Sequence, residues 1–302
     1  LAYRKSAPVN WDPVDCVVLS NDEVTDGKAI RSGAVVEKRD MAQWFFRITA
    51  YGDALTEGLD KIDWPEGVKT QQRDWIGRSE GCAFDLEIAS VPSDAPNAVA
   101  ELPGEASEQF RVRVFTTRVD TVYGMSFVVL SPEHALVDSI TTGDNRAAVS
   151  EYRTRAASIS EQDRTAEGRE RTGVATGAYA VNPMSGERVP IWIADYVLAG
   201  YGTGAIMAVP AHDERDADFA RRYALPLPVV VVATQAETQS PPTGYAATAF
   251  VAKDGYIVNS GAYSGLSVKD AGARITADLV ARGIGEAQTN YRLRDWLVSR
   301  QR

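Results

Sequence analysis

The chain has 302 residues, 44% hydrophobic and 24% charged, an ordinary globular composition with enough length for one large or two modest domains. Its 32 Lys+Arg against 41 Asp+Glu give a net charge of −9, which disfavours broad, non-specific nucleic-acid binding. Two distant cysteines, Cys16 and Cys82, argue against a disulfide framework, and the longest apolar run, Leu225–Ala233, is broken by prolines well short of the roughly 20 residues of a membrane span, so a reducing cytoplasm and no membrane partner are expected.

In chain order, Leu1–Glu37 reads as short strands and turns, with turns at Asn10-Trp11-Asp12-Pro13 and at Asp26-Gly27. Met41, Trp44, Phe45, Ile48, Leu55 and Leu59 recur at near-helical spacing and predict an amphipathic helix over Met41–Leu59. Gly77-Arg78-Ser79-Glu80-Gly81 spells the G-x-S-x-G nucleophile elbow, but an elbow needs a helix after its serine and Cys82–Val91 reads as a strand. Ser90–Glu108, rich in Pro, Ser, Asp and Ala, reads as a loop.

Phe110, Val112 and Val114 alternate with arginines in a strand that runs into Thr116-Thr117-Arg118, turns at Asp120 and presents Thr121 before Gly124. Threonines and an arginine at a strand end suit a polar pocket better than a core. Ser131-Pro132 predicts a helix start continuing to Ile140, Ala147–Ser158 a second helix, and Glu161–Thr172 a charged surface loop. Val189–Val197, Ala205–Val209, Val229–Val232 and Tyr256–Val258 read as strands, and Ser267 caps a last helix over Val268–Arg282 that Gly283 stops.

The richest stretch is Gly200–Arg222: a glycine turn (Gly200, Gly202, Gly204), the Ala205–Val209 strand, Pro210, then His212-Asp213-Glu214-Arg215-Asp216 opening a helix. Asp213 and Asp216 there are compatible with a plain helix start, since carboxylates at an N-cap and three residues on accept orphan N–H groups. They are equally compatible with two carboxylates at the rim of a polar hollow. The glycines also fit a degenerate G-x-G-x-x-A dinucleotide pattern, which however needs a helix where a strand is expected here. A serine hydrolase would need Ser79 paired with His134 or His212, the only histidines in the chain.

TTRVDT at 116–121 followed by GYGTGAIMAVPAHDERD at 200–216 resembles the threonine-rich and aspartate-bearing segments of the editing insertion of bacterial-type leucyl-tRNA synthetases. Leu1–Val24, Gln43–Tyr51, Gln72–Gly81 and Tyr291–Arg302 are similar to segments flanking that insertion, so the resemblance covers essentially the whole chain. Neither a HIGH-like nor a KMSKS-like segment is present, so the resemblance implies a piece of a longer protein without the aminoacylation site.

The fold it implies is a mixed α/β one. A β-barrel-like editing domain over 87–290 with peripheral helices would join a flanking segment over 1–86 and a return strand over 291–302. The aromatics of Met41–Leu59 would pack on the synthetase body. The implied reaction is hydrolysis of norvalyl-, isoleucyl- or similar mischarged tRNA(Leu) by a positioned water. Thr116 and Thr117 would hold the adenosine or ester, Asp216 the substrate α-ammonium, and Thr121 would exclude leucine. Tyr201, Met207 and Val209 would shape the pocket, with Arg118 and Asp213 at its polar rim and His212 among the substrate-binding residues.

The implied partners are the 3′ end of tRNA(Leu) and the remainder of the synthetase, and the terminal adenosine's vicinal diol implies trapping by boron compounds. The resemblance implies no organic cofactor. Relatives bind zinc with paired cysteines near Gly27–Gly33, where this chain has Lys28 and Ser32, so no zinc is expected. Val119 stands where the family usually has proline, which removes a preset turn geometry. A structural insert whose site has lapsed is the non-enzymatic alternative.

Overall fold

The computed structural model describes residues 1–90, 110–157, 159, 163–164, 166, 168–199, 202–243 and 249–298. The expected loop after Ser90, and Gly200 and Tyr201 of the glycine turn, lie outside the described residues. The chain divides into two compact units, Leu1–Ser79 with Thr289–Arg302, and Glu80–Gln288.

The first unit is built on an antiparallel hairpin of β1 (Ala2–Asp12) and β5 (Glu37–Phe46), with β2 (Val17–Leu19) on one side and β15 (Trp296–Leu297) on the other. Within it, β3 (Val24–Thr25) and β4 (Lys28–Ala29) form a small hairpin whose Asp26-Gly27 turn has both φ angles positive (50° and 72°), as its sequence predicts. Ser32 Oγ donates to Asp12 Oδ2 at 2.6 Å, tying this knuckle to the end of β1. The turn expected at Asn10–Pro13 begins only at Pro13, because Asn10–Asp12 extend the ladder with β2.

The helix expected over Met41–Leu59 is corrected. Its first part is strand β5, paired residue by residue with β1 from Ala2↔Phe46 to Trp11↔Glu37, and only Gly52–Gly58 forms a helix, α1. Met41 and Phe45 are four apart, so they share a face of a strand as well as of a helix, and the long ladder decides between them. Val9, Phe45 and Leu297 form this unit's small core, and Asp295 accepts from Tyr3 Oη, Thr49 N and Thr49 Oγ1. A second helix, α2 (Glu66–Ile76), ends at Gly77 in the left-handed conformation. Leu1, Phe46, Tyr51, Leu55 and Trp296 line an open apolar groove of about 470 Å³.

The second unit is a curled, mostly antiparallel sheet with helices packed on it. Its strands are β6 (Arg78–Ser90), β7 (Arg111–Thr116), β8 (Phe127–Leu130), β9 (Gly173–Val181), β10 (Arg188–Ala194), β11 (Ala205–Ala208) and β14 (Gly285–Tyr291). The order is β11-β8-β10-β9-β6-β14, with β7 also paired to β6. β7 lies beside β11 as well, so the sheet bends back on itself. The barrel-like expectation holds only loosely, because no ladder among the described residues closes the sheet into a barrel.

β8 explains the layering. Phe-Val-Val-Leu is buried on both faces: Val128 and Leu130 face the main core with Phe84, Leu86, Val112, Val114 and Ile191, while Phe127 and Val129 face a second core with Ala194 and Phe219. The main core is covered by α6 (Val268–Ala281), which buries Ala271, Ile275 and Leu279 and whose N-cap Ser267 accepts from Asp270 N. The second core is covered by α5 (Glu214–Arg222). A short ladder of β12 (Val231–Val232) and β13 (Tyr256–Ile257) stands beside them.

The helix expected from Ser131 is corrected to α3 (Val137–Ile140) alone. Before it, His134 Nδ1 accepts from Leu136 N at 3.2 Å, an N–H that a helix would have sent to a backbone carbonyl. The next helix, α4, runs over Gly143–Ala157, starting one turn earlier than its sequence suggests.

Gly81 of β6 sits opposite the end of β7, and a Cβ there would overlap the carbonyl oxygen of Thr116. Gly81→Ala is therefore expected to cost about 1–3 kcal/mol through a forced shift of the Thr116 backbone. Chemical denaturation would check this, and an unchanged midpoint would show that the contact relaxes freely.

Candidate active site

Two sequence-distant segments meet at the end of the β8–β11 pair. Ser126 N donates to Ala208 O at 3.1 Å, and Phe127↔Ala208 through Leu130↔Ala205 continue the ladder. The threonine-rich segment leads into β8 and the aspartate-bearing segment leaves β11, so one pairing delivers both.

The threonine-rich segment winds as a 3-10 turn over Val119–Gly124. Thr116 Oγ1 accepts from Arg118 N at 2.9 Å, and Thr121 Oγ1 donates to Arg118 O at 2.8 Å. Arg118 forks onto Asp120, with Nε to Oδ1 at 3.0 Å and Nη2 to Oδ2 at 2.8 Å, and its Nη1 reaches Ala252 O at 3.2 Å. Buried Asn182 donates from Nδ2 to Val122 O at 2.8 Å. These bonds hold the turn where proline is absent, and Val119 itself is buried in the main core. Thr121 is buried, Thr116 half-buried and Thr117 exposed.

At the other segment, Gly202 and Gly204 have positive φ (62° and 71°) and lead into strand β11, so the dinucleotide pattern lacks the helix it requires. Met207 and Val209 are buried in the same core as Val119 and Val122. Asp213 is the N-cap of α5: its Oδ1 accepts from Arg215 N at 2.9 Å and Asp216 N at 3.2 Å, and its Oδ2 pairs with Arg215 Nη2 at 3.0 Å. Although burial pushes the other way, the Arg215 guanidinium holds the Asp213 carboxyl below its ordinary value.

Asp216, one turn in, is 4% exposed. Its Oδ2 accepts from Val209 N at 2.9 Å and its Oδ1 from Tyr196 Oη at 3.4 Å, so the carboxylate bridges the end of β11 to the segment after β10. Burial, reinforced by the Asp213 charge, raises its pKa to about 7. Capping and burial thus fall to two residues, Asp213 at the helix start and Asp216 one turn in. The helix is seated by Phe219, which stacks on Phe127 at 5.2 Å between centroids and meets Trp192 edge-on at 5.4 Å.

His212 is buried with both ring nitrogens on backbone groups: Nε2 lies 3.0 Å from Val230 N and 3.1 Å from Val231 N, and Nδ1 lies 3.0 Å from Phe250 O. Ser79 sits inside strand β6 with its hydroxyl on Asn290 O, so neither residue is set up as a nucleophile or its base. Tyr201 lies outside the described residues. Tyr196, Asn182 and the Val209 amide are the participants that sequence reading did not assign to these jobs. Tyr196 reads as a core aromatic at the end of an apolar strand, and only its partner reveals otherwise.

The arrangement offers a buried carboxylate, a backbone-fixed threonine and one exposed threonine hydroxyl at one strand end. Among the described residues no cluster of His, Cys, Asp and Glu could hold a metal ion.

A family model described as "Leucyl-tRNA synthetase, editing domain" matches residues 73–280. The leucine–tRNA ligase of Roseiflexus castenholzii is 52% identical over 308 residues, and that of Synechococcus sp. (strain JA-2-3B'a(2-13)) is 50% identical over 313. In each case all of this chain aligns with 33% of the relative's length. Among solved structures, the ternary complex of Agrobacterium radiobacter K84 agnB2 LeuRS with tRNA and LeuAMS is similar with a TM-score of 0.68 and 35% identity, over 98% of this chain and 31% of that one. This chain spans about a third of the curated relatives it matches, and it belongs to the leucyl-tRNA synthetase family, whose editing domain it carries.

Proposed function

We propose that this chain hydrolyses the ester joining a wrong amino acid, norvaline or isoleucine in type, to the 3′-terminal adenosine of tRNA(Leu), as the proofreading part of a cytoplasmic synthetase. The observation that carries this reading is the delivery of a threonine-rich turn and a buried carboxylate to one strand end by the β8–β11 pair.

The ester is already activated, so hydrolysis asks for a placed water and a stabilised oxyanion rather than a nucleophilic side chain. Water oxygen bonds to the carbonyl carbon, the ester C–O bond breaks, the ribose oxygen takes a proton, and a free amino acid leaves. Asp216 would hold the α-ammonium by a charge-assisted hydrogen bond, with Val209 N–H and Tyr196 fixing its carboxylate. Thr116 accepts from Arg118 N and keeps its own proton to donate, while exposed Thr117 is open to the adenosine or the ester. Arg118 and Asp213 would stay at the rim, each anchoring its own segment, and Met207 and Val209 would form the apolar wall.

Thr121 acts by bulk on this reading. Its hydroxyl proton is committed to Arg118 O, which fixes the rotamer and leaves the methyl in one place. A binding pocket alone separates side chains differing by a methylene by only about 1–3 kcal/mol, so a fixed obstacle against leucine supplies the second sieve. A boron compound bridging the diol of the terminal adenosine would be retained at the same place.

Thr121→Ala is expected to extend hydrolysis to leucyl-tRNA(Leu); leucyl-tRNA that survives the variant would remove Thr121 as the obstacle. The pH dependence follows from Asp216. Because its carboxyl binds a proton up to about pH 7, kcat/KM for isoleucyl-tRNA(Leu), corrected for free-solution hydrolysis, should fall as pH drops through that value. Asp216→Asn should abolish activity at every pH, and activity that persists would return Asp216 to a structural role.

Stability gives an independent check. The folded pKa is above the ordinary 3.8, so the contribution of Asp216 is favourable at low pH and is lost as pH rises through about 7. Asp216→Asn should accordingly raise the thermal midpoint more at pH 8 than at pH 5. Equal shifts at the two pH values would mean that the carboxylate is solvated.

A further inference from the structure

We propose that His212 is a positioning residue, whose two ring nitrogens clasp the Val230–Val231 backbone and Phe250 to the turn carrying Asp213 and Asp216 and so hold the two motif segments in register. The bonding fixes its chemistry. Backbone N–H groups only donate, so Nε2, facing Val230 N at 3.0 Å and Val231 N at 3.1 Å, must present its lone pair. Nδ1, 3.0 Å from the Phe250 carbonyl oxygen, must then carry the hydrogen. Only the neutral Nδ1–H tautomer satisfies all three, because an imidazolium would set an N–H against two others. Burial, with the nearby Arg118 charge acting in the same direction, takes the pKa down to about 4.

Each element held by the ring touches the threonine-rich turn on its other side. The Val230 side chain abuts Gly124, where an added Cβ would lie 2.8 Å from Val230 Cγ2. Ala252, two residues beyond Phe250, accepts from Arg118 Nη1 at 3.2 Å. On the near side, His212 N and Asp213 N both donate to Val209 O, and Phe250 N donates to Ala211 O at 2.8 Å. The ring therefore stands between the Arg118–Thr121 turn and the Val209–Asp216 turn. Loss of the clasp leaves two amide donors and one carbonyl buried without this partner and frees Val230 to move against Gly124. His212 thus serves the reaction through backbone placement, whereas the family resemblance sets it among the substrate-binding residues.

The activity part rests on the proposed editing function; the bonding part does not. Nitrogen-15 imidazole spectra of the full chain at pH 7 should show His212 neutral with hydrogen on Nδ1, and a charged ring or an Nε2–H ring overturns the clasp. In His212→Leu, kcat for isoleucyl-tRNA(Leu) should fall about 10- to 100-fold with KM little changed, and hydrolysis of leucyl-tRNA should rise relative to it, since sub-ångström misplacement acts on the reacting geometry. His212→Asn, which can still donate to Phe250 O, should lose less.

A folded His212→Leu with wild-type kcat and discrimination overturns the positioning role. If that variant does not fold, His212→Asn and the spectra decide. If the wild-type chain releases no amino acid, the editing reading fails at that point, while the spectra still decide the clasp.

Discussion

The second unit is arranged around one unfavourable act, the burial of the Asp216 carboxylate. Removing such a group from water costs several kcal/mol unless hydrogen bonds replace the hydration. Val209 N–H and Tyr196 Oη do so from two sides, and the start of α5, capped by Asp213, adds the positive end of a helix. Each of these donors imposes geometry. Val209 must end β11 as it does, Tyr196 must follow β10, and α5 must lie flat enough on Phe127 and Trp192 for its first turn to reach both. The aromatic cluster around Phe219 therefore does more than fill space, because it sets the height at which the carboxylate meets the strand end.

The threonine-rich turn is built by a different economy. Nearly every polar group in it is already engaged within the protein: Thr116 with Arg118 N, Thr121 with Arg118 O, Arg118 with Asp120 and Ala252. A turn satisfied in this way is rigid without ligand, which suits the obstacle proposed for Thr121, since a flexible obstacle yields. The same network accounts for the tolerance of Val119. Side-chain bonds replace the φ constraint of proline, and the valine side chain adds apolar burial that stabilises the turn.

What the sequence makes legible here is local, and what it hides is paired at a distance. The TTRVDT and HDERD segments, the Ser267 cap and the Gly283 stop are all short-range patterns, and each appears in the structure where its residues indicate. Met41–Phe46 reads as helix because residues three and four apart are apolar, yet its backbone partners are residues 2–7, some 40 positions upstream. The Ser131-Pro132 start fails because a side-chain nitrogen of His134 captures an amide. Tyr196, Asn182 and His212 could not be given their roles beforehand, since each bonds to groups that the fold alone brings near.

The raised pKa of Asp216 bears on selectivity under the proposed function. Burial, reinforced by the Asp213 charge, raises the Asp216 pKa, so this carboxyl keeps its proton to a higher pH than an exposed aspartate does. A ligand that brings an ammonium within hydrogen-bond reach selects the anion and gains a low-dielectric ion pair. A ligand lacking that charge gains no such pair and leaves the acid form in place. An ordinary exposed aspartate would be charged throughout but solvated, and its interaction with the same ammonium would be screened. Burial thus trades constant charge for a stronger response to the one group that every aminoacyl ester carries, while the side chain beyond it is left to Thr121, Met207 and Val209.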